Sequence, residues 1–140
     1  MTAAAYAYFF VLFATFTIVT AVGEWPHVKT AFTILIGNAL ANAYALATWD
    51  NDPWLAFLII DAASAAAILH NADFRLQWNI GLIFVFKVVI HAVYGLVLNV
   101  IPFASNPVAY WWICTASGFA QLLLLAVWFI KSVRVAQAPG

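Results

Sequence analysis

Ionisable residues lie near the middle of two apolar stretches of this sequence. Asp61 is about halfway along residues 54–70, and Lys87 and His91 flank the centre of residues 78–101. In such apolar surroundings an unpaired charge is expensive, so these side chains usually face a partner or a water-filled cavity. We therefore expect Asp61 to meet Lys87 or His91. The cluster is consistent with a proton or ion relay and equally with a structural ion pair.

Further polar side chains follow the apolar stretches at helical spacing. Lys87, His91 and Tyr94 are spaced i, i+4, i+7, which places an ammonium, an imidazole and a phenol on one helix face. Asn, Gln and Ser within membrane helices commonly form hydrogen bonds between helices, and we expect that role for those in this set. The predicted polar network consists of Asn38, Asn42, Ser64, Tyr94, Ser117 and Gln121.

The sequence gives little support to metal or enzyme chemistry. Besides His91, the only histidines are His27 and His70, which could form a surface metal or haem site, although histidines without a ligand role are the commoner case. The single cysteine, Cys114, excludes an internal disulfide, a CxxC redox pair and a four-thiolate metal site. Because nucleophile, phosphate-loop and dinucleotide motifs are absent, we expect no enzyme activity and no cofactor.

The elements that must position these residues are apolar helices. Of the 140 residues, 67% are hydrophobic and 7% are charged, whereas soluble domains carry roughly a quarter charged residues. We expect residues 1–140 to form one all-α integral membrane domain, a bundle of about five transmembrane helices in contact with the lipid bilayer. Stretches near the length of about 20 residues that crosses a bilayer occur at residues 3–22, 30–48, 54–70, 78–101 and 108–131.

Small residues predict where these helices approach closely. Gly37, Ala41 and Ala45 are small residues spaced four apart on the second stretch, so they lie on one helix face. The second half of the third stretch is almost all alanine. We therefore expect these two helices at the centre of the bundle. The first stretch offers only threonines such as Thr17 and Thr20, which can bond to their own backbone, so we expect it outermost.

The distribution of charge predicts an orientation. Apart from Lys87, every Lys and Arg lies at or just beyond the end of the first, third or fifth stretch. These residues are Lys29, Arg75, Lys131 and Arg134. The positive-inside rule places those ends in the cytoplasm and the N-terminus outside. All seven tryptophans lie near predicted span ends, as expected for anchors at the lipid headgroups. The first 22 residues lack the basic start and cleavage pattern of a signal peptide, so we expect them to remain a span.

Three functional hypotheses follow for a multi-pass protein of the bacterial inner membrane. The first is proton or small-ion transport along the Asp61, Lys87 and His91 cluster. The second is a non-catalytic membrane subunit or assembly partner in which the cluster is structural. The third is a holin-like protein, because small size and simple composition resemble those of pore-forming holins of bacterial viruses. A homo-oligomer or a membrane-protein partner is compatible with each, whereas the net charge of zero excludes a basic nucleic-acid surface.

Overall fold

The protein is an all-helical bundle. The computed structural model describes residues 3–48, 53–70, 72–102 and 105–136. Within these ranges the regular secondary structure is helical, which confirms the expected helical bundle. The helices are α1 (Ala3–Val22), α2 (Trp25–Thr48), α3 (Trp54–Leu69), α4 (Arg75–Val100) and α5 (Pro107–Ala136).

Some helices extend beyond the apolar stretches predicted from the sequence, because polar residues continue the helix. Helix α2 begins at Trp25, before the stretch that starts at residue 30, because Pro26 is compatible with a first helical turn. At the start of α5, the Asn106 Oδ1 accepts a hydrogen bond of 3.0 Å from the Ala109 backbone N–H, and Pro107 follows as the first helical residue. Asp52 precedes Pro53 in the same way in the sequence, but it lies outside the described residues.

The five helices pack in a closed ring. Consecutive helices contact each other, α1 returns to contact α5, and α2 and α5 also meet across the ring. Helices α3 and α4 form the most extensive pair. The expectation that α2 and α3 form the centre is wrong for α3, whose principal neighbours are α2 and α4. The alanines of its second half are mostly exposed, because Ile68 and Leu69 instead pack against α4 at Gly81.

Helix α1 contributes to the core although it carries little polar chemistry. Thr17 and Thr20 bond to the backbone oxygens of Phe13 and Phe16, as expected. Leu12 and other buried apolar residues fill one half of the bundle, which contains the ends of α1 and α3 and the start of α4. We call this packed set the apolar plug; it comprises Leu12, Ile34, Ile68, Ile80, Phe84 and Leu125.

Two helices are long and apolar enough to cross a membrane by length and composition, within the described part of the chain. They are Arg75–Val100 and Pro107–Val133. Two shorter apolar helices, Phe10–Val22 and Trp54–Leu69, accompany them.

Candidate functional site

The Asp61 carboxylate lies between two basic side chains. The Lys87 Nζ donates a hydrogen bond of 2.9 Å to Oδ1, and the His91 Nε2 lies 2.8 Å from Oδ2. All three residues are buried, with Asp61 5% and His91 1% exposed. The i, i+4 spacing on α4 places both basic groups on the face that packs against α3. Asp61 therefore contacts both of the partners between which the sequence left a choice.

Tyr110 extends this arrangement onto α5. Its hydroxyl lies 2.7 Å from the His91 Nδ1, and its ring stacks on Tyr94 with centroids 4.0 Å apart. When Nε2–H donates to Asp61, Nδ1 is left to accept from the Tyr110 hydroxyl, so both nitrogens of a neutral imidazole are engaged. We call the sequence of groups Tyr110, His91, Asp61 and Lys87 the polar chain.

Tyr110 is not among the residues predicted from the sequence, although a signal for it exists. It is spaced i, i+4, i+7 with Cys114 and Ser117, and Ser117 belongs to the predicted polar network, so helical periodicity places all three on one face of α5. Tyrosines near span ends are usually interpreted as headgroup anchors, which conceals such a role.

The other end of the polar chain lies against an apolar ring. The Lys87 Nζ is 5.2 Å from the centroid of the Phe84 ring, a cation–π distance. Phe84 belongs to the apolar plug and is fully buried. The charges therefore lie at the boundary between the plug and the more open half of the bundle.

A cavity of about 380 Å³ occupies that open half. All five helices line it, and Asp61, Lys87 and His91 form part of its wall. Its residues come from the first halves of α1, α3 and α5 and from the middle and second half of α2. Because helices that follow one another along the chain run in opposite directions, this places the cavity at the end of the bundle opposite the apolar plug.

The polar side chains predicted to link helices mostly bond to their own helix. The Asn38 and Asn42 Nδ2 atoms donate to the Ile34 and Asn38 carbonyl oxygens at 2.7 and 2.8 Å. The Ser117 hydroxyl donates to the Ile113 oxygen at 2.8 Å. These three donors therefore bond within their own helix, because a carbonyl four residues earlier is always within reach in a helix. The Asn38 side chain also forms a hydrogen bond between helices, with Tyr8 on α1. Asn38 and Asn42 both line the cavity.

The remaining predicted residues lie in three different settings. Tyr94 stacks on Tyr110. Ser64 is buried against Gly37, where an added Cβ would be 2.8 Å from its Oγ, so the glycine permits close approach of α2 and α3. Gln121 is fully buried, and neither its Nε2 nor its Oε1 has a hydrogen-bond partner among the described residues.

Besides those of the polar chain, two further hydrogen bonds between helices lie near the plug end. The His27 Nε2 lies 3.0 Å from the Ser132 Oγ, and the Gln77 Nε2 donates to the Thr30 Oγ1 at 3.3 Å. His27 also stacks on Trp128, with ring centroids 4.1 Å apart. Burial lowers the pKa of His27, which precedes the predicted span, and the Glu24 carboxylate partly offsets this shift.

This arrangement corrects the expected roles of Trp128 as a headgroup anchor and of His27 as part of a surface site. Trp128 is only 4% exposed and packs against His27 and Phe74, so it is a core residue and not a headgroup anchor. His27 is buried while His70 is exposed. Among the described residues no group of three or more His, Cys, Asp or Glu could hold a metal ion. Trp49 lies outside the described residues.

Comparisons with protein-family models, curated proteins and solved structures found no match for this chain. The residues of the site are therefore the basis for the function proposed below.

Proposed function

We propose that the protein is a multi-pass integral membrane protein that transfers protons or small ions through the polar chain. The observation that carries this proposal is the Asp61 carboxylate, held within 2.9 Å of Lys87 and 2.8 Å of His91 beside the cavity. Intramembrane ionisable groups facing a cavity are typical of proton and ion pathways.

The surface of the bundle supports its placement in lipid. Large apolar side chains are exposed on all five helices, among them Phe10 at 77%, Leu96 at 64% and Leu123 at 65%. Several polar and charged side chains, among them Asp61, Lys87 and Gln121, are buried inside the bundle. Water would penalise such extended apolar exposure, whereas lipid tails do not. Five spans in the bacterial inner membrane are part of the proposal.

The charge distribution supports an orientation. Lys29, Arg75 and Lys131 all belong to the plug end of the bundle, near the start of α2, the start of α4 and the end of α5. The positive-inside rule assigns that end to the cytoplasm. In this orientation the cavity faces the outside, and the plug separates it from the cytoplasm.

The geometry of the carboxylate supports proton transfer. A proton taken up at the His91 Nδ1 allows the Nε2 proton to pass to Asp61 over a hydrogen-bond distance, so that the imidazole gains one proton and loses one. Tyr110 keeps the His91 ring oriented through Nδ1. Ile80 and Phe84 of the apolar plug are fully buried and precede Lys87 on α4 toward the cytoplasmic end, so we expect transfer across the bundle to require a shift of the plug helices.

A second candidate is a membrane subunit in which the same ion pair is structural. Both Asp61 oxygens have partners, which is also what a static pair requires. In that case the pair fixes the register of α3 against α4 and contributes no transfer step.

Proton flux into liposomes distinguishes the candidates. We expect wild-type protein to admit protons under an imposed membrane potential, measured with an enclosed pH-sensitive dye. The Asp61→Asn/Lys87→Met double variant should be folded but inactive, because α3 then lacks a titratable acceptor. Asp73→Asn, an exposed acidic residue outside the polar chain, is the matched control and should retain the flux.

Two outcomes would contradict transport through the polar chain. Wild-type flux equal to that of empty liposomes would favour the structural subunit, as would a double variant that retains wild-type flux. Release of a large enclosed dye together with protons would favour a holin-like pore.

A further inference from the structure

The cavity beside the polar chain is larger than proton transfer requires. Its volume of about 380 Å³ lies within the range of roughly 300–1,000 Å³ found for sites that hold small organic molecules. Phe57 and Trp111 provide an apolar wall, with rings packed edge to face and centroids 5.6 Å apart. The cavity therefore has room and apolar surface for an organic solute.

The polar lining of the cavity includes several oxygen acceptors. Asn38 and Asn42 each use Nδ2 to donate to a carbonyl of their own helix, and their amide oxygens can act only as acceptors. Thr115 likewise donates to the Trp111 oxygen at 2.8 Å and retains its lone pairs. Oxygens of this kind suit a ligand that brings N–H donors, and the aromatic wall suits one that is positively charged.

The charge of the site limits how a cation can enter. The negative charge of Asp61 is balanced by Lys87, and a second cation would leave an unpaired positive charge in a buried site. Loss of one proton from the polar chain as the cation enters keeps the total charge unchanged. The other titratable groups at this site are His91 and Tyr94 on α4, Tyr110 and Cys114 on α5, and Tyr8 on α1.

We propose that the cavity binds a small monovalent organic cation bearing N–H donors, of the amine or guanidine class, in exchange for one proton. The inference rests on the proposed function, because it names the solute that exchanges with the protons of the polar chain. The cation lies against Phe57 and Trp111, with its N–H groups toward Asp61 and the asparagine oxygens. The released proton comes from the polar chain, so the total charge of the site stays the same.

Calorimetry with matched probes tests the proposal. Benzylguanidinium is a permanent cation with N–H donors, benzylurea is its neutral near-isostere, and phenylacetate is an anion of similar size. We expect the detergent-solubilised protein to bind benzylguanidinium at least about tenfold more tightly than the other two. Titration in two buffers of different ionisation enthalpy should show release of about one proton per cation bound. Equal affinity for benzylurea, absence of binding or absence of proton release would each overturn the proposal.

Two lining residues and one matched control locate the site. Trp111→Ala should weaken benzylguanidinium binding about tenfold by removing the aromatic wall. Thr115→Val should weaken it by a smaller factor while preserving shape and folding. Trp112→Ala, the neighbouring exposed tryptophan outside the cavity, should leave affinity unchanged. Equal effects of Trp111→Ala and Trp112→Ala would exclude the cavity as the site.

The outcomes separate this inference from the proposed function. Proton flux in liposomes without binding of benzylguanidinium would leave proton transfer intact and overturn the cation site. Cation binding with proton release, but without flux in liposomes, would leave the site intact and overturn transport.

Discussion

Asp61, Lys87 and His91 form a buried arrangement in which each member depends on the others. Removal of water from a carboxylate and an ammonium is costly, and their attraction repays this cost only when the geometry is good. Here two short contacts satisfy both carboxylate oxygens. Such a pair is weak evidence for stability, whereas an orphaned member is strongly destabilising.

The first prediction concerns the loss of one charge. Asp61→Asn should destabilise the protein by about 3–5 kcal/mol, because Lys87 then remains buried without a counter-ion. Adding Lys87→Met should recover most of that loss, since the orphan ammonium is removed. Thermal unfolding of wild type, both single variants and the double variant in detergent measures the coupling. Additive effects would show that the two side chains do not interact energetically.

Gln121 provides the second prediction. Its amide is fully buried, and neither polar atom has a partner among the described residues. Because an unsatisfied buried polar group costs about 1–3 kcal/mol, Gln121→Leu should raise the unfolding temperature. The neighbouring Leu122→Gln, which buries a new amide, should lower it. A decrease in stability for Gln121→Leu would mean that the amide has a polar partner.

At the scale of elements, α3 and α4 depend on two close approaches. Gly81 faces Leu69, and Gly95 faces Trp54. At both positions an added Cβ would lie 2.4 Å from the opposing side chain, so the helices can pack this closely only where the side chain is a hydrogen. This packing holds Asp61 opposite Lys87 and His91.

The third prediction tests this helix pair. Gly95→Ala should destabilise the protein by about 1–3 kcal/mol, because the added methyl group overlaps the Trp54 ring and forces the helices apart. The loss should appear in thermal unfolding. Ala62→Val on the exposed face of α3 is the control and should change stability by less than about 0.5 kcal/mol. Tolerance of Gly95→Ala would mean that Trp54 can move aside.

The contact between α2 and α5 at His27 gives the fourth prediction. The pKa of His27 is lowered by burial, so in the unfolded chain the imidazole binds a proton more readily than in the folded protein. The stability from the neutral ring is therefore complete above the ordinary pKa of about 6.5 and is lost as the pH falls through and below that value.

Unfolding temperatures at pH 7.5 and pH 5 measure this contribution. His27→Gln can still donate a hydrogen bond toward Ser132 but cannot titrate, so its stability should fall less between these two pH values than that of wild type. His70→Gln, at an exposed position, should behave like wild type. An unchanged slope in His27→Gln would show that His27 does not titrate in this range.

At the scale of the whole molecule, the ring of helices has two different ends. One end contains the apolar plug and the basic residues Lys29, Arg75 and Lys131, and the other contains the cavity. Under the proposed function, this polarity determines which side of the membrane has access to the polar chain.

The fifth prediction fixes the orientation. An alkaline phosphatase fusion in the loop from Pro102 to Pro107 should be active, because the charge distribution places that end outside the cytoplasm. A fusion after Arg134 should be inactive. The reverse pattern would place the cavity on the cytoplasmic side, and activity of both fusions would contradict the number of spans.

The sequence alone determined the helical architecture and the residues that carry charge into it. Five apolar stretches separated by turn residues are a local signal, and Asn106 and Pro107 mark the start of α5 through local capping chemistry. The spacing of Lys87 and His91 on one face is equally local, because helical periodicity fixes it.

Only the tertiary structure decided how these faces meet. The helices are apolar nearly all round, so hydrophobic patterning does not say which face turns inward. The contact of His91 with Tyr110 joins residues 19 positions apart on different helices. Asn42 was expected to bridge helices, but it bonds to its own backbone and leaves its oxygen beside the cavity. The cavity exists because all five helices close around it, and that closure depends on contacts between helices that no single segment encodes.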